Sequence, residues 1–203
     1  MSQKKKKVLF FLPPTVGGAE RMTVLIAKML PQDEFEVKFV VVGRSLGDIV
    51  RFIPSGYSIR QIPIKSIWCG GTIKMWNVVR EEKPDIVFSS LLYLNARLII
   101  VAKLCGTKVI VRNNIDLSRT THKINIPLVR LTYKWADKVI AQQEEMHDEI
   151  ISYTRIPVDM VFVSFIYWVA VVVELGRKKL ATIVVSIQAF SSELMEVMRV
   201  VQH

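Results

Sequence analysis

Two adjacent glycines between a predicted strand and a predicted helix carry the clearest chemical signal in the sequence. The apolar run at residues 8–12 (VLFFL) leads into the loop PPTVGG, which ends at Gly17 and Gly18, and a helix is predicted directly after it. The first turn of a helix has unpaired backbone N–H groups and the positive end of the helix dipole, which suit a phosphate, a carboxylate or a sugar hydroxyl. We therefore predict that Gly17 and Gly18 let a ligand approach the backbone closely.

The same loop also has a purely structural interpretation. It lacks the third glycine of the dinucleotide-binding fingerprint and the Gly-Lys-Ser/Thr of a Walker loop. Two glycines in a turn also fit tight packing of a helix against a strand. Glu20 lies in the first predicted helical turn, where the dipole stabilises any carboxylate, so it is only a weaker site candidate.

A second polar group follows another predicted core strand. Arg112 ends the run KVIVR at residues 108–112, and Asn113 and Asn114 come directly after it. A guanidinium suits a phosphate or a carboxylate, and amide side chains suit sugar hydroxyls. Asparagines also commonly form turns after strands. The position beyond a strand end favours a substrate-facing role for Arg112 and Asn113.

Three further residues are weaker candidates. Asp116 and His122 lie in the long loop after the same strand, where either side chain is placed to act as a general base. A single loop histidine is more often simply solvated. Ser89 ends another predicted strand, and it either lines a ligand crevice beyond the strand ends or merely ends its strand. The acidic residues and the histidine within 144–148 do not share one helix face, so we predict a solvated surface there and no metal site.

Strand-like apolar runs alternate with helix-periodic runs over most of the chain. The predicted strands are 8–12, 37–42, 58–64, 85–89, 108–112 and 138–141. The predicted helices are one that begins at residue 19 and stops at Pro31, then 73–82, 94–104, 126–135 and 144–153. This alternation predicts an α/β fold with a doubly wound, mostly parallel sheet. The ligand crevice of such a sheet lies beyond the carboxyl ends of its strands.

The composition is that of a globular protein with a basic surface. The chain has 203 residues, 51% of them hydrophobic, and a net charge of +10. Residues 160–203 hold four basic and three acidic residues, so +9 falls on residues 1–159. Such a surface suits an anionic membrane face, nucleotide phosphates or nucleic acid, or is simply rich in lysine.

Cysteine usage and the N-terminus favour the cytoplasm. Cys69 and Cys105 are too few and too far apart for a disulfide framework or a zinc site, so we expect reduced thiols. The basic run at residues 4–7 precedes an apolar run that is too short for a secretory signal.

An apolar tail breaks the alternation. Only Ser164 interrupts residues 160–173, which are too few for a membrane-spanning helix of about 20 residues. Their valines and aromatic residues favour a pair of buried strands, and an interfacial or membrane-dipping segment is the alternative. A final helix is predicted over residues 187–201.

The order of these motifs resembles the N-terminal half of a family 4 glycosyltransferase of the GT-B type. The resemblance rests on the opening KVLFFLPPTVGGAERMTVLIAKML, on KPDIVFSS at 83–90, on GTKVIVRN at 106–113 and on ADKVIAQ at 136–142, which EEM soon follows. It covers residues 6–160. We therefore assign residues 1–160 to a Rossmann-like N-terminal domain and residues 161–203 to an apolar tail.

The resemblance implies a retaining transfer of a sugar from a nucleotide-sugar, which is a co-substrate and not a bound cofactor, to a glycan or a lipid-linked acceptor. In this family the N-terminal domain binds the acceptor and faces a donor-binding domain across a cleft. Gly17 and Gly18 would face the donor phosphates, and Arg112 and Asn113 would line the cleft. The resemblance also implies a peripheral position on the inner face of the membrane and no nucleic-acid partner.

Residues 161–203 depart from the family pattern. They contain neither the pair of glutamates separated by seven residues that holds the donor sugar nor the Asn-Pro hinge. Gly176 and Arg177 resemble the start of the donor domain only faintly, so we interpret the tail as its degraded remnant and the chain as a truncated product, inactive alone. A split transferase with a donor-domain partner chain is one alternative. A non-catalytic module that binds a nucleotide or an anion is another.

Overall fold

The computed structural model describes residues 4–64, 70–118, 125–163, 192 and 195–198. The weaker candidates His122 and Arg177, together with Cys69, lie outside the described residues. The predicted strand pair lies outside them beyond residue 163, and so does most of the predicted final helix.

Seven strands form one sheet. In chain order they are β1 (Lys6–Leu12), β2 (Phe35–Val42), β3 (Ser58–Ile62), β4 (Ile86–Ser89), β5 (Lys108–Arg112), β6 (Lys138–Ala141) and β7 (Val161–Val163). Their order across the sheet is β3-β2-β1-β4-β5-β6-β7, and each of these neighbouring pairs is parallel. The predicted α/β, doubly wound, Rossmann-like sheet is therefore confirmed.

Helices connect the strands. The α-helices of the described part are α1 (Gly18–Met29), α2 (Thr72–Glu82), α3 (Leu92–Cys105), α4 (Asn125–Thr132) and α5 (Glu144–Thr154). Short 3-10 helices lie at Asp48–Phe52, Tyr133–Trp135 and Val158–Met160. Among the described helices, none has the length and apolar character that crossing a membrane requires.

Both faces of the sheet are covered, which is why its strands are continuous apolar runs without alternation. On one face, Leu9 and Phe11 of β1 belong to the core that α2 to α5 complete. On the other face, Phe10 packs with side chains of α1 and with the fully buried Met198. Residues 195–198 thus complete the second face of the sheet.

Carboxylates link neighbouring strands at the edge of the sheet where the strands begin. We call this edge the amino edge. Asp85 precedes β4 and accepts a hydrogen bond from the Lys7 N–H of β1 at 2.7 Å. Asp137 precedes β6 and accepts one from the Val109 N–H of β5 at 2.9 Å. Each aspartate therefore fixes the register of a strand pair.

Glu82 is the most heavily paired charge of the described residues. Its carboxylate lies 2.6 Å from Lys7 Nζ, 2.5 Å from Lys38 Nζ and 3.0 Å from Arg60 Nη1. Burial alone would raise the pKa of Glu82, but the hydrogen bonds from Lys38, Lys7 and Arg60 outweigh it and lower the pKa to about 2. One carboxylate thus ties α2 to three strands of the amino edge.

Up to residue 154, the predicted strands and helices are confirmed apart from a few boundaries, and the structure adds short 3-10 helices. The 3-10 helix Asp48–Phe52 was not predicted, because five residues are too few to show a helical period. The helix predicted at 126–135 is α4 followed by a separate 3-10 turn. Gly106 ends α3 in the left-handed conformation (φ 66°) that is common where helices end.

Candidate functional site

The glycine loop connects β1 to α1 at the opposite edge of the sheet, the carboxyl edge, where the strands end. Gly17 is the N-cap of α1, and its carbonyl accepts the Arg21 N–H at 3.1 Å. A Cβ atom at Gly18 would meet nothing within 4 Å. Neither packing nor a left-handed backbone therefore requires Gly18 to be glycine, and open space lies in front of its backbone.

Glu20 folds back over this loop. Its side chain is 8% exposed, and its Oε1 accepts a hydrogen bond from Thr15 Oγ1 at 2.9 Å. A Cβ atom at Gly17 would lie 2.6 Å from Glu20 Oε2, so the glycine makes room for the carboxylate. Burial is the main cause that raises the pKa of the Tyr93 hydroxyl to about 12, and electrostatic repulsion from Glu20 adds to it. Glu20 thus shapes the loop from within, which fits the structural interpretation of this residue.

Two glycines after β2 support the loop from behind. A Cβ atom at Gly43 would lie 2.6 Å from the Pro14 ring, and one at Gly47 would lie 2.2 Å from the Pro14 carbonyl oxygen. Gly47 also has a positive φ of 63°, and the Ile49 N–H donates to the same carbonyl at 3.4 Å. This contact was not predicted from the sequence. A glycine at the end of a strand, followed by another four residues later, could have indicated it.

Of the two serines at the end of β4, Ser90 contacts α1 and Ser89 bonds to its own segment. The Thr23 hydroxyl of α1 lies 2.8 Å from the Ser90 hydroxyl, and both residues are buried. Ser89 is fully buried, and its Oγ accepts the Leu91 N–H at 3.5 Å. The position of Ser89 fits the alternative in which this serine ends its strand.

Arg112 is a buried cation at the end of β5. Its side chain is 1% exposed, and burial lowers its pKa to about 10. Nε and Nη1 have no hydrogen-bond partner within the described part of the chain. With that pKa the guanidinium is still charged at neutral pH.

A polar network holds the backbone at this point. Asn95 Nδ2 donates to the Arg112 carbonyl at 2.9 Å and to the Tyr133 hydroxyl at 3.1 Å. The Tyr133 hydroxyl donates in turn to Asn113 Oδ1 at 2.6 Å. Asn113 Nδ2, Asn95 Oδ1 and Asn114 Oδ1 are buried and find no partner among residues that the structure describes. Sequence reasoning missed Asn95 and Tyr133, because only their distant contacts distinguish them from ordinary helix residues.

The loop after β5 is anchored by α5. The Glu149 carboxylate accepts the Leu117 N–H at 2.6 Å and the Ser118 N–H at 2.8 Å. Asp116 lies beside this anchor and is partly exposed. No group of three or more His, Cys, Asp or Glu that could hold a metal lies among the described residues.

The carboxyl edge therefore gathers the four leading candidates Gly17, Gly18, Arg112 and Asn113. Backbone N–H groups, a guanidinium and an amide are all hydrogen-bond donors, which suit a ligand that carries an anionic group and hydroxyls. Among the weaker candidates, Glu20 and Ser89 are buried at this edge, where they support the backbone.

Solved structures share this fold. HepE (Alr3699) of Anabaena, in complex with UDP and glucose, is 17% identical with a TM-score of 0.62, and the match covers 78% of this chain and 44% of that one. The lipopolysaccharide outer core galactosyltransferase WaaB is 16% identical with a TM-score of 0.59, covering 78% of this chain and 45% of that one. The UDP-GlcNAc 2-epimerase of Methanocaldococcus jannaschii is 18% identical with a TM-score of 0.58, again over 78% and 45%.

These likenesses concern the fold, which is that of the GT-B glycosyltransferases, and the chain spans less than half the length of each. A search of the curated proteins found no match. The family model "Glycosyltransferase Family 4" matches residues 16–163, which is most of the sequence and includes Gly17, Gly18 and the polar group after β5. The chain belongs to glycosyltransferase family 4.

Proposed function

We propose that this chain is the acceptor-side domain of a retaining glycosyltransferase, which moves a sugar from a nucleotide-sugar to a glycan or a lipid-linked acceptor. Membership of family 4 supports the reaction class. The observation that carries the assignment of the site is the open backbone of Gly18 at the start of α1, on the carboxyl edge of a parallel sheet.

The contribution of this domain to catalysis is positioning and charge stabilisation. The N–H groups at Gly17 and Gly18 and the positive end of α1 stabilise the leaving diphosphate. Arg112 and Asn113 line the same edge, and fixed donors of this kind hold reactants in place without reorganising. HepE, whose structure has a similar fold, was solved with UDP and glucose, which supports a nucleotide-sugar as co-substrate.

The proposed reaction needs a second wall of the cleft. Because the chain spans less than half the length of its solved relatives, we propose that a donor-binding domain completes the site, either elsewhere in the same protein or in a separate partner chain. Without that domain we expect no transfer.

We further propose that the protein works at the inner face of the membrane, where a lipid-linked acceptor is accessible. The Arg21 guanidinium lies 4.7 Å from the centre of the exposed Phe52 ring. Arg51 beside it is largely exposed. An exposed aromatic ring among arginines suits an anionic lipid surface, and the +9 charge of residues 1–159 supports the same location.

A leucine at Gly18 tests the site. Gly18→Leu should fold normally, because the added Cβ meets nothing within 4 Å, but it should fill the space in front of the loop. We expect UDP to shift the Gly17 and Gly18 amide signals in NMR spectra of the wild-type chain and to bind Gly18→Leu at least about tenfold more weakly.

Gly56→Leu is the matched control. Gly56 is equally open but precedes β3 at the amino edge, so this variant should bind UDP like the wild type. The site assignment is wrong if UDP leaves the Gly17 and Gly18 amides unmoved or if both variants bind equally. Equal shifts with NAD would instead favour a general nucleotide-binding module.

A further inference from the structure

Arg112 combines full burial with the lack of a counter-charge among the described residues. Its Nε and Nη1 lack partners, and the structure shows no ion pair between Arg112 and a carboxylate in its described part. Burying a charge without a partner is costly, and proteins normally offset the cost with an opposite charge. The same fold does so at Glu82, where Lys7, Lys38 and Arg60 surround one carboxylate.

The main chain of Arg112 is held by contacts with a helix and with a neighbouring strand. Its carbonyl accepts the Asn95 amide, the residue pairs with Ile140 across the sheet, and the next N–H, that of Asn113, donates to the Ile140 carbonyl at 2.9 Å. These contacts fix the backbone of Arg112 at the end of β5.

The side chain of Arg112 lies on the α1 face of the sheet. Ile110, two residues earlier on β5, belongs to the core on that face, and alternate residues of a strand share a face. β5 is two strands from β1, a separation of about 10 Å at the usual strand spacing. Arg112 and the start of α1 thus lie on one face of one edge. The carboxylate of that loop, Glu20, is already bonded to Thr15.

We propose that Arg112 is a built anion subsite, whose guanidinium binds a phosphate or carboxylate group of a substrate. The counter-charge that the described fold does not supply then arrives with the ligand. The inference deepens the proposed function and rests on it only for the source of the anion, which is either the donor diphosphate or an acidic group on the acceptor. The subsite itself rests on the burial and placement of Arg112.

The test follows the Arg112 Nε–H signal in ¹H–¹⁵N NMR spectra of the 203-residue chain. Inorganic phosphate, UDP and glucuronate are titrated separately, with neutral glucose as the control. We expect at least one anion to shift the signal and glucose to leave it unchanged. A larger response to UDP identifies the donor as the source, and a larger response to glucuronate identifies an acidic acceptor. No response to any of the three anions overturns the proposal.

A substitution gives a second, independent readout. Arg112→Met keeps a long apolar side chain and removes the uncompensated charge, so we expect a rise in Tm of about 2–4 °C. We also expect it to lose the phosphate-dependent rise in Tm that the wild type shows. Arg60→Met is the control, because Arg60 is paired with Glu81 and Glu82, and its loss should lower Tm.

A fall in Tm for Arg112→Met as large as that for Arg60→Met would show that Arg112 already has a structural partner and would overturn the proposal. If Arg112→Met does not fold, the wild-type titration still decides. Anion binding at Arg112 together with unmoved Gly17 and Gly18 amides would contradict the assigned donor site alone, so the two failures are distinguishable.

Discussion

The polar side chains at the two edges of the sheet differ in whether they have partners. At the amino edge, Asp85, Asp137 and Glu82 all have partners on neighbouring strands. At the carboxyl edge, Arg112 and Asn113 are much more deeply buried than these carboxylates and yet keep N–H groups without partners among the described residues. The amino edge is built for stability, whereas the carboxyl edge retains hydrogen-bonding capacity that a ligand can use.

The difference matters because buried polar atoms without partners are rare in folded proteins. Here they cluster at the edge where open α/β sheets bind their ligands. Within its described residues the fold pairs three cations with Glu82 and yet leaves two nitrogens of Arg112 without a partner, so the contrast is informative.

The largest effect on stability is expected from substitution of a glycine, with one glycine compared at each edge of the sheet. Gly47 and Gly106 share a positive φ, but a Cβ atom at Gly47 would lie 2.2 Å from a backbone oxygen and one at Gly106 would meet nothing. Urea unfolding should show a loss of about 3–5 kcal/mol for Gly47→Ala and only about 1–2 kcal/mol for Gly106→Ala. Equal losses would mean that the Pro14 contact does not brace the glycine loop.

The next largest effect on stability is expected when the charge of Glu82 at the amino edge is removed. Glu82→Gln leaves Lys7, Lys38 and Arg60 without their shared carboxylate, and since Glu82 is 10% exposed we expect a loss of about 2–3 kcal/mol at neutral pH.

Acid titration of Tm provides the check on Glu82. Because the pKa of Glu82 is lowered from 4.5 to about 2 in the folded protein, its contribution is present above pH 4.5 and is lost as the pH falls towards 2. The gap in Tm between the wild type and Glu82→Gln should therefore narrow over that range. A gap that does not change with pH would contradict the assignment.

The smallest effect should come from the network behind Arg112. Tyr133→Phe removes the hydroxyl between Asn95 and Asn113, and we expect a loss of about 1–2 kcal/mol in urea unfolding. Tyr57→Phe is the control, because its exposed hydroxyl bonds Gln32 at 3.4 Å and should contribute almost nothing. If both variants lose the same free energy of unfolding, the carboxyl edge is less ordered than its hydrogen bonds indicate.

The sequence predicted the order of strands and helices because burial on both faces of a parallel sheet leaves long apolar runs, and glycine and proline separate them. It also directed attention to Arg112 and Asn113, since polar residues directly after a core strand mark the carboxyl edge. It could not predict that Asn95, Tyr133 and Asn113 form one network, because the contacts join residues 17, 38 and 20 positions apart. Nor could it show that Glu20 turns inward, since a carboxylate in a first helical turn fits either role.

The placement of β1 has a consequence for biosynthesis. β1 lies between β2, which follows it closely in the chain, and β4, whose neighbouring Asp85 is 78 residues from its partner Lys7. A nascent chain can pair β1 with β2 early, but the other side of β1 has no partner until β4 leaves the ribosome. Unpaired apolar strands are prone to aggregate. A strand whose residues 8–12 are fully buried in the finished protein is thus exposed for a long part of its synthesis.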